Sequence, residues 1–224
     1  MGLRLIIGNK NYSSWSFRPW LAMKVAGIAF EETLISLEAS DFKSRVTALG
    51  GAGRVPTLID GDTCVWESLA ILEYLAEKFP AAALWPRDPS ARAHARAIAS
   101  EMHAGFGALR RQLPMNIRRP VIPRALDTDA AGDVARIDAI WSESRSRFGA
   151  SGPFLYGTFG AADAMYAPVV WRFRTYAVEV SAAAQAYMRA LMALPAWIEW
   201  REAARHEPWV LPHDEVDWPD VKRE

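Results

Sequence analysis

The stretch Asn11-Tyr12-Ser13-Ser14-Trp15-Ser16-Phe17-Arg18-Pro19 stands between an apolar run and a helical periodicity, and its reading decides the fold. Upstream, residues 3–7 (LRLII) are short, rich in β-favouring side chains and stopped by Gly8, the signature of a buried strand. Downstream, Phe17, Trp20, Leu21, Val25 and Ile28 recur at helical spacing. Pro19 is expected to limit how early that helix starts, because proline is comfortable only in a first turn. A strand-to-helix loop is where an open α/β sheet presents its ligand crevice. The helix N-terminal amides there favour an anion. Ser13 and Ser16 fill the spacing that Cys-x-x-Cys would take in a redox domain of this kind. Serines before a helix are usually caps, and on these residues alone capping accounts for them.

Working outward, residues 30–36 read as a second strand and residues 41–49 as a weak helix or loop, followed by the flexible Gly50-Gly51-Ala52-Gly53. Residues 57–59 and 64–66 flank Asp60-Gly61-Asp62, a hairpin turn. Residues 68–79 place Leu69, Leu72, Leu75 and Ala76 on one helical face, and Pro80 ends it. The order β-α-β-α-β-β-α, with early crossovers implying parallel pairing and a last antiparallel hairpin, is a thioredoxin-like α+β domain over residues 1–80. Residues 81–90, with Pro86 and Pro89, read as a linker. Residues 91–224 read as an all-α helical bundle. Asp88 or Ser90 caps a segment reaching about Leu113, and helices follow near 129–148, 160–178, 181–193 and 195–206.

The chain has 224 residues, and its 26 basic side chains balance 26 acidic ones. That balance gives no support for polyanion or nucleic acid binding. With 51% hydrophobic and 23% charged residues, the chain can bury a real core, so disorder is excluded as its main state. One cysteine, Cys64, rules out an intrachain disulfide and a multi-thiolate metal site. It lies far from the serine loop and is expected to be inert, so protein dithiol chemistry is excluded. His94, His103, His206 and His213 lack metal-ligand spacing, and no metal is expected. The N-terminal apolar run is too short for a signal sequence, and no run suits a bilayer. The expectation is a soluble, cytoplasmic protein with no membrane partner.

Two further motifs matter. In Arg54-Val55-Pro56-Thr57-Leu58, the proline belongs at the first position of a strand. The alternative is a cis Val55–Pro56 bond whose backbone presents Val55 to a peptide-like ligand. In Trp66-Glu67-Ser68-Leu69-Ala70-Ile71, Ser68 can cap the following helix with an acidic neighbour. Alternatively Glu67 holds an ammonium group while Ser68 and the helix N-terminus hold a carboxylate.

Each signal is weak alone. Taken together, Tyr-Ser-Ser-x-Ser, Arg-Val-Pro-x-Leu and Glu-Ser-x-Ala-Ile ahead of a helical domain resemble the cytosolic glutathione transferase superfamily over essentially the full length. The serine-type, zeta-like (maleylacetoacetate isomerase-like) group is nearest, with Trp15 standing where that group has cysteine. The resemblance implies glutathione as co-substrate, a small electrophile as second substrate, and a homodimer. It implies that Ser13, or its neighbour Ser14, donates to the glutathione sulfur, and that Val55 with a cis Pro56 pairs with the cysteinyl unit. Glu67 and Ser68 would hold the γ-glutamyl end, and Arg54 and Lys43 would meet the glycyl carboxylate. Gly160 to Ala164 is similar to the family's capping box, with glycine where Ser or Thr is usual.

Between Arg110 and Arg124 stand five arginines and no acidic residue. They are either a solvated helix end or a basic wall for a carboxylated electrophile such as a maleyl compound. Met102, Phe106, Met115 and Tyr166 either line that pocket or belong to the core. The functional expectation is a glutathione transferase. A glutathione-dependent cis–trans isomerase of a maleyl-type acid is the alternative, and a non-catalytic ligand-binding or scaffold protein of the same fold is the third reading.

Overall fold

The structure is a computed structural model that describes residues 2–217. Its first half runs β1 (Leu3–Ile7), α1 (Ser14–Val25), β2 (Phe30–Leu34), α2 (Phe42–Ala48), β3 (Thr57–Asp60), β4 (Thr63–Trp66) and α3 (Ser68–Lys78). The four strands lie in the order β2-β1-β3-β4. β1 pairs in parallel with β2, through Leu5 opposite Glu32, and antiparallel with β3, through Leu5 opposite Leu58. The first crossover therefore gives the expected parallel pair and the second does not. α2 is a seven-residue helix, about 10 Å long, and the chain enters β3 from the end at which β2 left. β3 and β4 form the expected antiparallel hairpin.

The helical half comprises α4 (Pro89–Ala104), α5 (Gly107–Gln112), α6 (Thr128–Phe148), α7 (Ala161–Thr175), α8 (Ala182–Met192) and α9 (Pro195–Arg205). Asp88 caps α4 by accepting the Ala91 N–H at 2.8 Å. The segment expected to run on to Leu113 breaks after Ala104. Gly105 is extended and packs its Cα against the Glu101 carbonyl, where a Cβ would come within 2.8 Å. Phe106 then adopts a left-handed backbone, φ 61°, and buries its ring.

α1 begins three residues before its periodic signal, so Pro19 sits inside the helix and not in its first turn. The weak amphipathic pattern has a simple cause. α1 packs against α7 of the other half as well as against α3, and from Phe17 to Met23 every residue is buried. One apolar cluster consequently runs from Leu5, Phe17 and Ile71 through Met165, Trp171 and Trp200, so the two halves share a core. The tryptophans of the helical half reach into this shared core. Phe17 meets Trp197 and Trp200 at 5.3 and 5.0 Å between ring centroids, and Trp20 meets Trp200 at 4.9 Å. Trp218, in the tail, lies outside the described residues.

Further polar ties close the seam. The buried Glu207 carboxylate accepts the backbone N–H groups of Lys10 and Asn11 at 2.6 and 3.0 Å. Asn11 Nδ2 donates to Asn116 Oδ1, and Asn11 Oδ1 accepts the Arg118 N–H. The segment entering the serine loop is thus held by the helical half.

Candidate functional site

The loop serines divide by role. Ser13 caps α1, accepting the Ser16 N–H at 3.4 Å and donating from Oγ to Ser16 Oγ at 2.7 Å. Ser16 also accepts the Gly8 N–H and is fully buried, so it is an internal brace. Ser14, the first residue of α1, accepts a hydrogen bond at 3.3 Å from Nη2 of Arg172 on α7. Ser13, Ser14, Trp15, Val55, Arg110 and Arg172 line one cleft of about 290 Å³ between the halves. Tyr12, His213 and Asp214 stand at the same cleft.

The Val55–Pro56 bond is cis. Glu67 precedes α3 with a left-handed backbone, φ 68°, which a non-glycine residue adopts only when its surroundings impose it. Its carboxylate accepts from Arg54 Nη1 at 3.0 Å and lies 3.8 Å from His103 Nε2. Ser68 is fully buried; its Oγ accepts from Arg18 Nη1 at 3.1 Å and donates to the Met165 sulfur. The residues expected at the site therefore form separate groups. Ser13, Ser14 and Val55 share the cleft, while Arg54 and Glu67 pair with each other. The Ser68 hydroxyl faces inward, and Lys43 is exposed on α2 away from the cleft lining.

The arginine-rich segment divides among several roles, and of the five only Arg111 is an exposed charge at a helix end, in the last turn of α5. Only Arg110 of the five lines the cleft. Arg118 donates to the carbonyls of Glu207 and Trp209, and Arg119 and Arg124 pair with Asp217, so these three pin the returning tail. Met102, Phe106 and Tyr166 are core side chains, whereas Met115 lines the cleft.

The residues that sequence reasoning missed are Arg18 and Arg172. Both are buried, and among the described residues neither has a hydrogen-bonded carboxylate. Arg18 stacks on Trp15 at 4.3 Å, with Arg110 5.0 Å from the same ring, and its Nε and Nη2 have no partner. Burial, then Arg110 and Arg172, hold the Arg18 pKa well below its ordinary value. Burial, then Arg110, bring Arg172 down to about 10. Burial likewise depresses Arg110 and His103, and raises the Asp214 carboxyl. A cleft wall carrying the half-buried Arg110 and the buried Arg172, with the buried Arg18 behind Trp15, favours an anion. Arg172 did leave one trace in the sequence, a charge directly after the uncharged, largely apolar run from Ala164 to Trp171.

Among the described residues, no group of three or more His, Cys, Asp or Glu is placed to hold a metal, and no helix is long and apolar enough to cross a membrane.

A family model described as glutathione S-transferase, N-terminal domain, matches residues 12–78. A second, glutathione S-transferase, C-terminal domain, matches residues 91–203. The probable maleylacetoacetate isomerase of Caenorhabditis elegans is 37% identical over 97 residues, 43% of this chain and 45% of that protein. Glutathione S-transferase Z1 of Arabidopsis thaliana is 37% identical over 89 residues, 38% and 40% of the two chains. The matched stretches thus span less than half the length of these two relatives. The stringent starvation protein A homolog of Pasteurella multocida (strain Pm70) is 26% identical over 174 residues, 75% of this chain and 74% of that one. Among solved structures, a glutathione transferase homolog from Burkholderia gl BGR1 with bound glutathione superposes with a TM-score of 0.70 at 22% identity. The match covers 92% of this chain and all of that one, and at this identity it speaks for the fold.

Proposed function

The chain belongs to the glutathione S-transferase family, and from that premise we propose that it binds glutathione in the serine-loop cleft and ionises its thiol for attack on a small electrophile. The observation that carries this reading is the convergence of Ser13, Ser14 and Val55 with Arg172 on one cleft. A free thiol has a pKa of about 8.5, so half-ionising it at pH 7 takes about 2 kcal/mol of preferential stabilisation of the thiolate. A hydroxyl donor aimed at sulfur and the positive end of α1 act in that direction. The proton leaves to water, and the thiolate adds to the electrophile. Val55 is assigned to the cysteinyl backbone, with Pro56 setting its direction. Glu67 and the start of α3 at Ser68 are assigned to the γ-glutamyl end, and Arg54, more than Lys43, to the glycyl end. The protein is read as a cytoplasmic homodimer, and the exposed Trp66 on the edge strand β4 supports a covering partner there.

A second reading, glutathione-dependent cis–trans isomerisation of a maleyl-type acid, is favoured by Arg110. Its guanidinium lines the cleft and its hydrogen bonds go to the carbonyls of Gly105 and Met102, leaving its charge without a bonded carboxylate. The deciding experiment measures glutathione conjugation to an aryl halide and turnover of a maleyl acid, in the native protein and in Ser13→Ala and Ser14→Ala. Loss of turnover in a serine variant is expected. Full activity in both variants would sink the serine mechanism, and binding of glutathione without any turnover would make the protein a carrier of the same fold.

A further inference from the structure

We propose that Arg172, acting through Ser14, sets the ionisation of the thiol bound in this cleft. The inference rests on the glutathione reading above and adds to it a positioning residue from the helical half. Ser13 already gives its hydroxyl proton to Ser16 Oγ, so its donor is engaged inside the loop. Ser14 is differently placed. The Arg172 guanidinium occupies a lone pair of Ser14 Oγ at 3.3 Å, which leaves the Ser14 proton for an acceptor on the cleft side. A hydroxyl that accepts from a cation is a stronger donor to its next partner.

Arg172 is an improbable structural residue. It sits near the end of α7, a helix whose residues from Ala161 to Phe173 are all buried, and among the described residues its side chain bonds the Leu113 carbonyl and Ser14. A buried guanidinium without a carboxylate partner destabilises a fold unless something negative meets it. The anion that would complete this arrangement is a thiolate beside Ser14. Other charged or titratable groups also face this position. Arg18 from α1 and Arg110 from α5 add to the positive field, Tyr176 after α7 and Asp214 in the returning tail offset part of it, and Tyr12 and His213 also line the cleft. Of these side chains, that of Arg172 hydrogen-bonds to a loop serine hydroxyl.

The test is an ultraviolet thiolate titration of glutathione bound to the full chain, for the native protein, Arg172→Met, Arg172→Lys, Ser14→Ala and the Ser14→Ala/Arg172→Met double variant. Binding of S-methylglutathione, which has no ionisable thiol, is measured alongside. In Arg172→Met the midpoint for thiolate formation should rise by about one pH unit, which lowers the thiolate-to-thiol ratio at a given pH about tenfold. S-methylglutathione affinity should change less than twofold, and Arg172→Lys should restore most of the midpoint. In the double variant the arginine change should add nothing to the serine change, the mark of one pathway. An unchanged midpoint in Arg172→Met, or fully additive effects in the double variant, would overturn the proposal. Should Arg172→Met fail to fold, Arg172→Lys and Ser14→Ala still decide it. An unshifted Ser14→Ala excludes the route through Ser14. Native protein that fails to bind S-methylglutathione at all removes the underlying glutathione reading, a result separable from failure of the arginine role.

Discussion

Arg18 donates from Nη1 to Ser68 Oγ at 3.1 Å, joining the serine-loop helix α1 to the first residue of α3. The bond occupies one nitrogen of a wholly buried guanidinium whose other two nitrogens are unpartnered. Arg110 and Arg172 repel it, and no carboxylate hydrogen-bonds to it. Replacing a buried charge of this kind with an apolar side chain of similar length is often neutral or stabilising, by about 1–4 kcal/mol. Arg18→Met is therefore expected to leave urea stability unchanged or raised while weakening the binding of anionic ligands in the cleft. A loss of more than about 2 kcal/mol, the cost of breaking a satisfied buried network, would instead make Arg18 a structural tie.

Glu207 should be a strong determinant of stability. Its carboxylate satisfies two backbone donors, Lys10 N and Asn11 N, at the junction between the halves. Glu207→Ala leaves both N–H groups without that acceptor, at about 1–3 kcal/mol for each buried donor. Glu207→Gln keeps one amide oxygen for the pair and should cost roughly half as much. Denaturant midpoints of the two variants check the ranking.

Gly160 explains a departure from the family's usual capping residue. Asp163 Oδ2 accepts the Gly160 N–H at 2.8 Å, so half of the capping box is present. A Cβ at Gly160 would lie 2.7 Å from the Leu84 carbonyl oxygen, which itself accepts the Ala161 N–H at 2.7 Å. Restoring the usual residue with Gly160→Ser should thus destabilise the protein by about 1–3 kcal/mol through backbone displacement, despite serine being a good N-cap elsewhere. A rise in melting temperature would show that the segment at Leu84 yields freely.

The Asp163 carboxyl is pushed up to about 6, chiefly by burial, while its bonds from Leu155 N and Gly160 N pull the other way. Its folded value exceeds the unfolded one, so the folded chain holds the proton more tightly. Stability attributable to this group is full below about pH 4 and is lost as pH rises through about 6. The size is about 3 kcal/mol, taken from a displacement of roughly two pH units. Comparing urea stability of the native protein and Asp163→Asn between pH 4 and 7, the difference should tilt in this sense. A flat difference would mean that the carboxylate is better solvated than its burial implies.

The cap itself is measurable apart from any chemistry. Ser13→Ala removes the acceptor for Ser16 N and the donor to Ser16 Oγ, which should cost about 1 kcal/mol. Ser14→Ala leaves the cap intact and instead orphans the buried Arg172 Nη2 donor, which should cost about 1–3 kcal/mol. Thermal unfolding of the two variants separates a folding loss from a loss of thiol activation.

Much of the fold was legible in the chain because its signals are local. The strand at residues 3–7, the hairpin turn at Asp60-Gly61-Asp62, the helix stop at Pro80 and the Asp88 cap act within a few residues and can be read in order. The direction of β3 was not legible, since it depends on which end of the sheet the chain re-enters after α2. The length of α1 was obscured for a related reason. A helix covered on several sides has no polar face, so its periodicity underreports it.

At the site, composition and motif determined the residue types available: two adjacent serines before a helix, a single distant cysteine, a valine–proline pair and an acidic–serine pair. Only the tertiary structure decided their company. It brought Arg172 from α7 onto Ser14, gave the Ser68 hydroxyl to Arg18, joined Arg54 to Glu67, and spent Arg118, Arg119 and Arg124 on the tail. Ser14 and Arg172 are 158 positions apart. No local preference of either residue encodes their meeting, which follows from the packing of α1 against α7 through a core that both halves build together.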